Sequence, residues 1–113
     1  MKLSILIFML LAVAEANAVT LEGAPSCDDW FKGRWMEKQN GGTYAPVDAD
    51  KYWLTQYLSG IASSSGIDFM FRSDAESFYR FVDAYCKQHP QDKLSDAGGA
   101  LASELIDEKM KNK

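Results

Sequence analysis

Apolar positions recur at helical period in four blocks of this chain. The clearest runs from Ser73 to Pro90. There Phe78, Phe81, Val82, Tyr85 and Cys86 fall at spacings that align an aromatic ridge on one face of a helix. Ser73 is placed to cap its start, and Glu76, three residues on, completes a capping box. Pro90 ends it by disfavouring helical geometry in the residue before it. Upstream, Ser26 can cap a helix to about residue 39, with Asp28 and Asp29 in the first turn where the helix dipole favours anions. Trp30, Phe31, Trp35 and Met36 are expected to form its buried face, and Gly41-Gly42 to end it. A loop holding Pro46 follows. A helix from about residue 50 to 64, capped by Asp48 or Asp50, carries the stripe Trp53, Leu54, Tyr57, Leu58 and Ile61. A last helix, about 93 to 110, is capped by Asp92 and carries Leu94, Ala97, Leu101, Leu105 and Ile106. No segment reads as a strand or an internal repeat. The expected fold is all-α: a small four-helix domain over residues 19 to 113.

Two details bear on surfaces. Gly60 and Ser64 lie one turn apart and form a small-residue strip where another helix can come close. Gly in a helix interior costs about 1 kcal/mol relative to Ala, which close packing would offset. Tight packing inside the monomer is the plainer outcome, and a homodimer or partner surface the other. The connector before the third helix holds Ile67, Phe69, Met70 and Phe71, more apolar residues than a free loop carries. It is expected to lie on the core. If exposed, Gly60, Phe69, Met70 and Phe71 would form a candidate binding surface.

The first residues read differently. Lys2 precedes an apolar run from Leu3 to Val13, broken by Ser4, and Ala16-Asn17-Ala18 fits a small-residue cleavage site, with Ala14-Glu15-Ala16 as the alternative. This is the pattern of a secretory signal peptide over residues 1 to 18, and the run is too short for a membrane span. A lipoprotein would need a lipidated cysteine beside the apolar run, and Cys27 is distant from it. Export permits a disulfide. With two cysteines in the chain, the intramolecular pairing is Cys27 with Cys86, joining the first and third helices. A closed loop of roughly 60 residues is worth about 4 kcal/mol on the loop-entropy model. Two free thiols or an intermolecular bond are the alternatives. The close spacing of a redox-active pair is absent.

Composition narrows the chemistry. The net charge of −4, from 16 Asp and Glu against 12 Lys and Arg, argues against nucleic acid as a partner. His89 is the one histidine, at a helix C-terminus where the dipole suits a cation. It has no companions for a metal site. The carboxylate pairs Asp28/Asp29, Asp48/Asp50 and Asp107/Glu108 sit at predicted helix ends and read as caps or solvated groups, not as a glycosidase pair facing across a cleft. No nucleophile elbow, zinc-protease motif or phosphate loop is present. No enzyme activity, cofactor or metal is expected.

Three short stretches carry a resemblance: Cys27-Asp28-Asp29-Trp30, Tyr57-Leu58-Ser59-Gly60, and Tyr85-Cys86-Lys87-Gln88-His89-Pro90 with the helix through Leu94, Leu101 and Leu105. Together they resemble the HdeA/HdeB family of small periplasmic helical proteins, over about Ser26 to Glu108. The histidine–proline piece also resembles Tai-type immunity proteins of type VI secretion, which usually carry more cysteines. The first resemblance implies a periplasmic, non-enzymatic, acid-activated chaperone that binds unfolded clients through apolar surface. The second implies an immunity protein, and the alternative expectation is a specific binding protein of that kind or an accessory of an envelope machine.

Overall fold

The computed structural model describes residues 23–70 and 73–111. The expected leader, residues 1 to 18, lies outside them. Four helices follow one another: α1 Cys27–Gln39, α2 Ala45–Ser65, α3 Ala75–Gln88 and α4 Leu94–Lys111. No strand occurs among the described residues, so the small all-α domain stands. Among the described residues no helix is long and apolar enough to cross a membrane.

The disulfide Cys27–Cys86 is formed, with the two Cα atoms 5.0 Å apart. It joins α1 to α3, the intramolecular pairing expected from the cysteine count. Both sulfurs are buried, beside Trp30, Phe78 and Val82. α4 packs against both α2 and α3. Leu54 and Leu58 of α2 and Leu94, Ala97 and Leu101 of α4 complete the centre. Gly98 lets α2 and α4 approach, since a Cβ there would lie 2.9 Å from the Tyr57 ring.

A backbone clamp holds the starts of α1 and α4 together. The Cys27 N–H donates to the Asp92 carbonyl (2.9 Å), and the Leu94 N–H to the Pro25 carbonyl (2.7 Å). Each bond satisfies a donor that a helix N-terminus leaves open.

Helix ends differ from expectation in three places. α2 begins at Ala45, a turn early, because Pro46 occupies the first turn, where its fixed φ fits and its missing N–H costs nothing. Asp48 and Asp50 are therefore inside the helix and are not its cap. α3 is capped by Asp74, whose carboxylate accepts from the Glu76 N–H (3.2 Å), while Ser73 Oγ donates to the Phe69 carbonyl. The capping box does not form, because Glu76 is drawn to an arginine of α1. Asp92 does not cap α4. Its carboxylate accepts from the Tyr85 hydroxyl at 2.6 Å, and the Lys93 N–H is met instead by Asp96. That bond to Asp92, then burial and the charges of Asp92 and Asp96, push the Tyr85 phenol up to about 12.

Candidate functional site

α1 is turned opposite to the sequence expectation. Its buried residues are Cys27, Trp30, Gly33 and Glu37, while Phe31 and Trp35 are 50% and 57% exposed. Trp30 alone of the expected aromatic face is fully inside, and Met36 is half-buried. Three constraints set this rotation. The disulfide fixes Cys27 towards α3. Trp30, one turn on, then enters the core and its indole N–H donates to Asp83 Oδ1 (2.8 Å). Gly33 faces α2 so closely that a Cβ there would lie 2.9 Å from Val47 Cβ. No other residue type allows that contact without moving α2.

The inward face consequently carries charge. Arg34, 12% exposed, lies at the junction of α1, α2 and α3. Its guanidinium donates to both oxygens of Asp83 (3.0 Å each by the shorter bonds), to Glu37 Oε1 (2.8 Å) and to Glu76 Oε1 (2.9 Å). Lys51 of α2 donates to the other oxygen of Glu37. The Arg34 cation lies 5.8 Å from the Trp30 ring and 5.7 Å from the Tyr79 ring, and the Lys51 ammonium 4.9 Å from Tyr79. Burial opposes the Arg34 charge. The hydrogen bonds to Asp83 and then Glu76, with their charges, outweigh it and hold the guanidinium above its ordinary range. Among the described residues every buried side-chain polar atom has a partner. This cluster is therefore a satisfied joint between three helices.

The outward face carries the aromatic residues. Phe31, Trp35, Met36 and Tyr44, with the Lys32 stem, line a groove of about 550 Å³. A second groove, about 230 Å³, runs from Phe31 past the disulfide to Lys87 and Pro90. A third, about 150 Å³, lies between Trp35, Lys38 and the Arg34–Asp83 pair. Lys32 is paired with Asp28 at 2.9 Å, which raises its affinity for a proton. The face is thus an apolar strip with charged edges, the composition of a protein-contact surface.

Nothing else among the described residues offers as much chemistry. No group of three or more His, Cys, Asp or Glu side chains there is placed to hold a metal ion. His89 caps the C-terminal end of α3, its ring 4.4 Å from Tyr85. Compared with protein-family models, curated proteins and solved structures, the chain matches none of them. Its function must be argued from its own surfaces.

The surface suggested by sequence is dispersed. Phe69 is buried in the core, and Met70 is half-buried with its sulfur 3.7 Å from Ser59 Oγ, so this connector lies on the domain as its composition implied. Phe71 lies outside the described residues. Gly60 is exposed, with nothing within 4 Å of a Cβ built there, so among the described residues no helix closes on it. The close approaches fall at Gly33 and Gly98 instead. Phe31 and Trp35, expected on the buried face of α1, lie on its exposed face. The signal against that was next to them: Gly33, Arg34 and Glu37 share the face that Cys27 points inward.

Proposed function

We propose that the protein is a non-enzymatic, periplasmic protein-binding protein, an acid-activated chaperone of the kind the HdeA/HdeB resemblance implies. One observation carries the reading: the joint between α1, α2 and α3 is built from ions. Arg34 and Lys51 are held there by Glu37, Glu76 and Asp83. Strong acid withdraws negative charge from carboxylates as a class, and the two cations at this joint depend on carboxylates for their counter-charge. The whole chain, with 12 Lys and Arg, is then cationic and self-repelling. α2 separates from α1 and presents Val47, which packs on Gly33 of α1 in the closed domain, while the disulfide keeps α1 and α3 paired. Phe31 and Trp35, outward at neutral pH, add to the client surface. The test is aggregation of a model client at about pH 2–3 with and without the protein. Suppression is expected, and Glu37→Gln, which removes one counter-charge in advance, should move its onset to higher pH. An unchanged aggregation curve would end this reading.

The same exposed strip favours a second reading, a specific binding protein acting at neutral pH, such as an immunity protein or an envelope-machine accessory. Pull-down at pH 7 should then yield one stoichiometric partner that Trp35→Ser loses. Recovery of no such partner counts against it.

A further inference from the structure

α1 ends on an exposed corner that carries its own chemistry. Asn40 is the C-terminal cap of α1, at φ −95° and ψ 18°, and Gly41 and Gly42 follow it at φ +76° and +104°. All three are exposed. Of the three asparagines in the chain, Asn40 alone precedes a glycine. An asparagine so placed can react with its own backbone, because the glycine nitrogen has no side chain beside it to block approach to the asparagine amide carbon. Three backbone bonds hold the corner. The Asn40 N–H donates to the Met36 carbonyl (2.9 Å) and the Gly42 N–H to the Glu37 carbonyl (2.8 Å), but the Gly41 N–H reaches the Lys38 carbonyl only at 3.4 Å. The nitrogen that would react is the most loosely held of the three. Attack requires rotation about ψ of Asn40, since at 18° the Gly41 nitrogen is turned away from Cγ. Nothing lies within 4 Å of a Cβ built at Gly41 or Gly42, so among the described residues this rotation meets no neighbouring side chain.

We propose that Asn40-Gly41 is a site of spontaneous covalent modification, in which Asn40 becomes isoaspartate and α1 loses its C-terminal cap. Hydroxide takes the proton of the Gly41 N–H. The nitrogen bonds to Asn40 Cγ and the side-chain nitrogen leaves as ammonia, taking a proton from water and regenerating the hydroxide. The product is a five-membered succinimide. Water then opens the ring at either carbonyl. Breaking the bond between the Gly41 nitrogen and the Asn40 backbone carbonyl gives isoaspartate, and breaking the new bond to Cγ gives aspartate. Water is the one co-reactant. Both products carry an added negative charge at the end of α1 where the helix dipole is already negative, which is unfavourable. Isoaspartate also lengthens the backbone by one methylene, so the Gly42 N–H cannot keep its bond to the Glu37 carbonyl. The Glu37 side chain holds both Arg34 and Lys51. A change at this exposed corner therefore reaches the joint of three helices. This inference is independent of client binding at acid pH and of any partner at neutral pH.

The test is incubation of the folded, disulfide-bonded protein for days at about 37 °C, at pH 7 and pH 9, beside a sample unfolded in urea. Peptide mapping by mass spectrometry locates the change, and an isoaspartyl methyltransferase used as a reagent labels the isoaspartate. Labelling should appear at residue 40 and run faster at pH 9, because hydroxide starts the reaction. A helix end opens at little cost, so the folded rate should lie within about tenfold of the rate in urea. Asn40→Gln, whose longer side chain must close a six-membered ring, should remain unlabelled over the same period. The aged wild type, separated from fresh protein by its added charge, should melt about 3 °C lower. No isoaspartate at residue 40 at pH 9, a folded rate below that range, equal labelling of Asn40→Gln, or an aged protein that melts with the fresh one would each overturn the proposal. None of these outcomes touches the client assay.

Discussion

α1 and α3 are of similar length, lie side by side and share a disulfide, yet they obey opposite rules. In α3 the apolar residues face in: Phe78, Val82 and Cys86 are buried on the ridge that their spacing marks. In α1, Phe31 and Trp35 face out while Arg34 and Glu37 face in. The hydrophobic effect alone orients α3, because one rotation buries nearly all of its apolar area. α1 has no such rotation. Trp30, Phe31, Trp35 and Met36 together span about two thirds of the helix circumference, so any orientation leaves some exposed. A tie stronger than the difference between orientations then decides, and Cys27 supplies it.

This contrast can be attacked most directly at Arg34. Arg34→Met leaves Asp83 and Glu76 without their cation and Glu37 with Lys51 alone, and should destabilise the fold by about 3 kcal/mol. Trp35→Ser, the adjacent residue on the other face, should change stability by no more than about 0.5 kcal/mol. Urea denaturation of both at pH 7 provides the comparison. Equal losses would mean that α1 is not oriented as described.

The next effect concerns what fixes α2 against α1. Gly33→Ala forces a methyl against Val47 and should cost about 2 kcal/mol. Gly60→Ala meets nothing and should gain about 0.5 kcal/mol from helix propensity and a less flexible unfolded chain. Thermal denaturation should give shifts of opposite sign.

The smallest effect is at Asp50, on the α2 side of the same junction. Burial, then the charge of Asp29, raises its carboxyl above the ordinary aspartate value. The folded protein therefore holds this proton more tightly than the unfolded chain. The resulting stabilisation is full below the ordinary value and is lost as pH rises through the raised one. Asp50→Asn should accordingly increase stability by up to about 0.5 kcal/mol at pH 7 and leave it unchanged near pH 3. Equal melting temperatures at pH 7 would show that Asp50 is better solvated than its position indicates.

Much of the domain was readable in advance. Four helical blocks, their order, and the covalent tie between the first and third follow from periodicity and from a cysteine count that allows one intramolecular pairing. The ends were less readable. Pro46 fits a loop as well as a first turn, and Glu76 fits a capping box as well as an ion pair. In each case a local rule names two uses of a residue and a distant partner picks one. The exposed face was misread for the same reason. Phe31 and Trp35 count as core by composition, and only the phase of α1 moves them outside.

The amino-acid order by itself determined that this protein is helical, that Cys27 and Cys86 can close one loop, and that α3 turns its ridge inward. Those are statements about neighbours a few residues apart and about residue counts. Only the tertiary structure decided which side of α1 meets the core, that Arg34 and Glu37 together join three helices, and that Phe31, Trp35 and their flanking charges form one outward stripe. Such choices compare whole arrangements of helices, in which one disulfide and one missing Cβ outweigh the burial of two aromatic side chains.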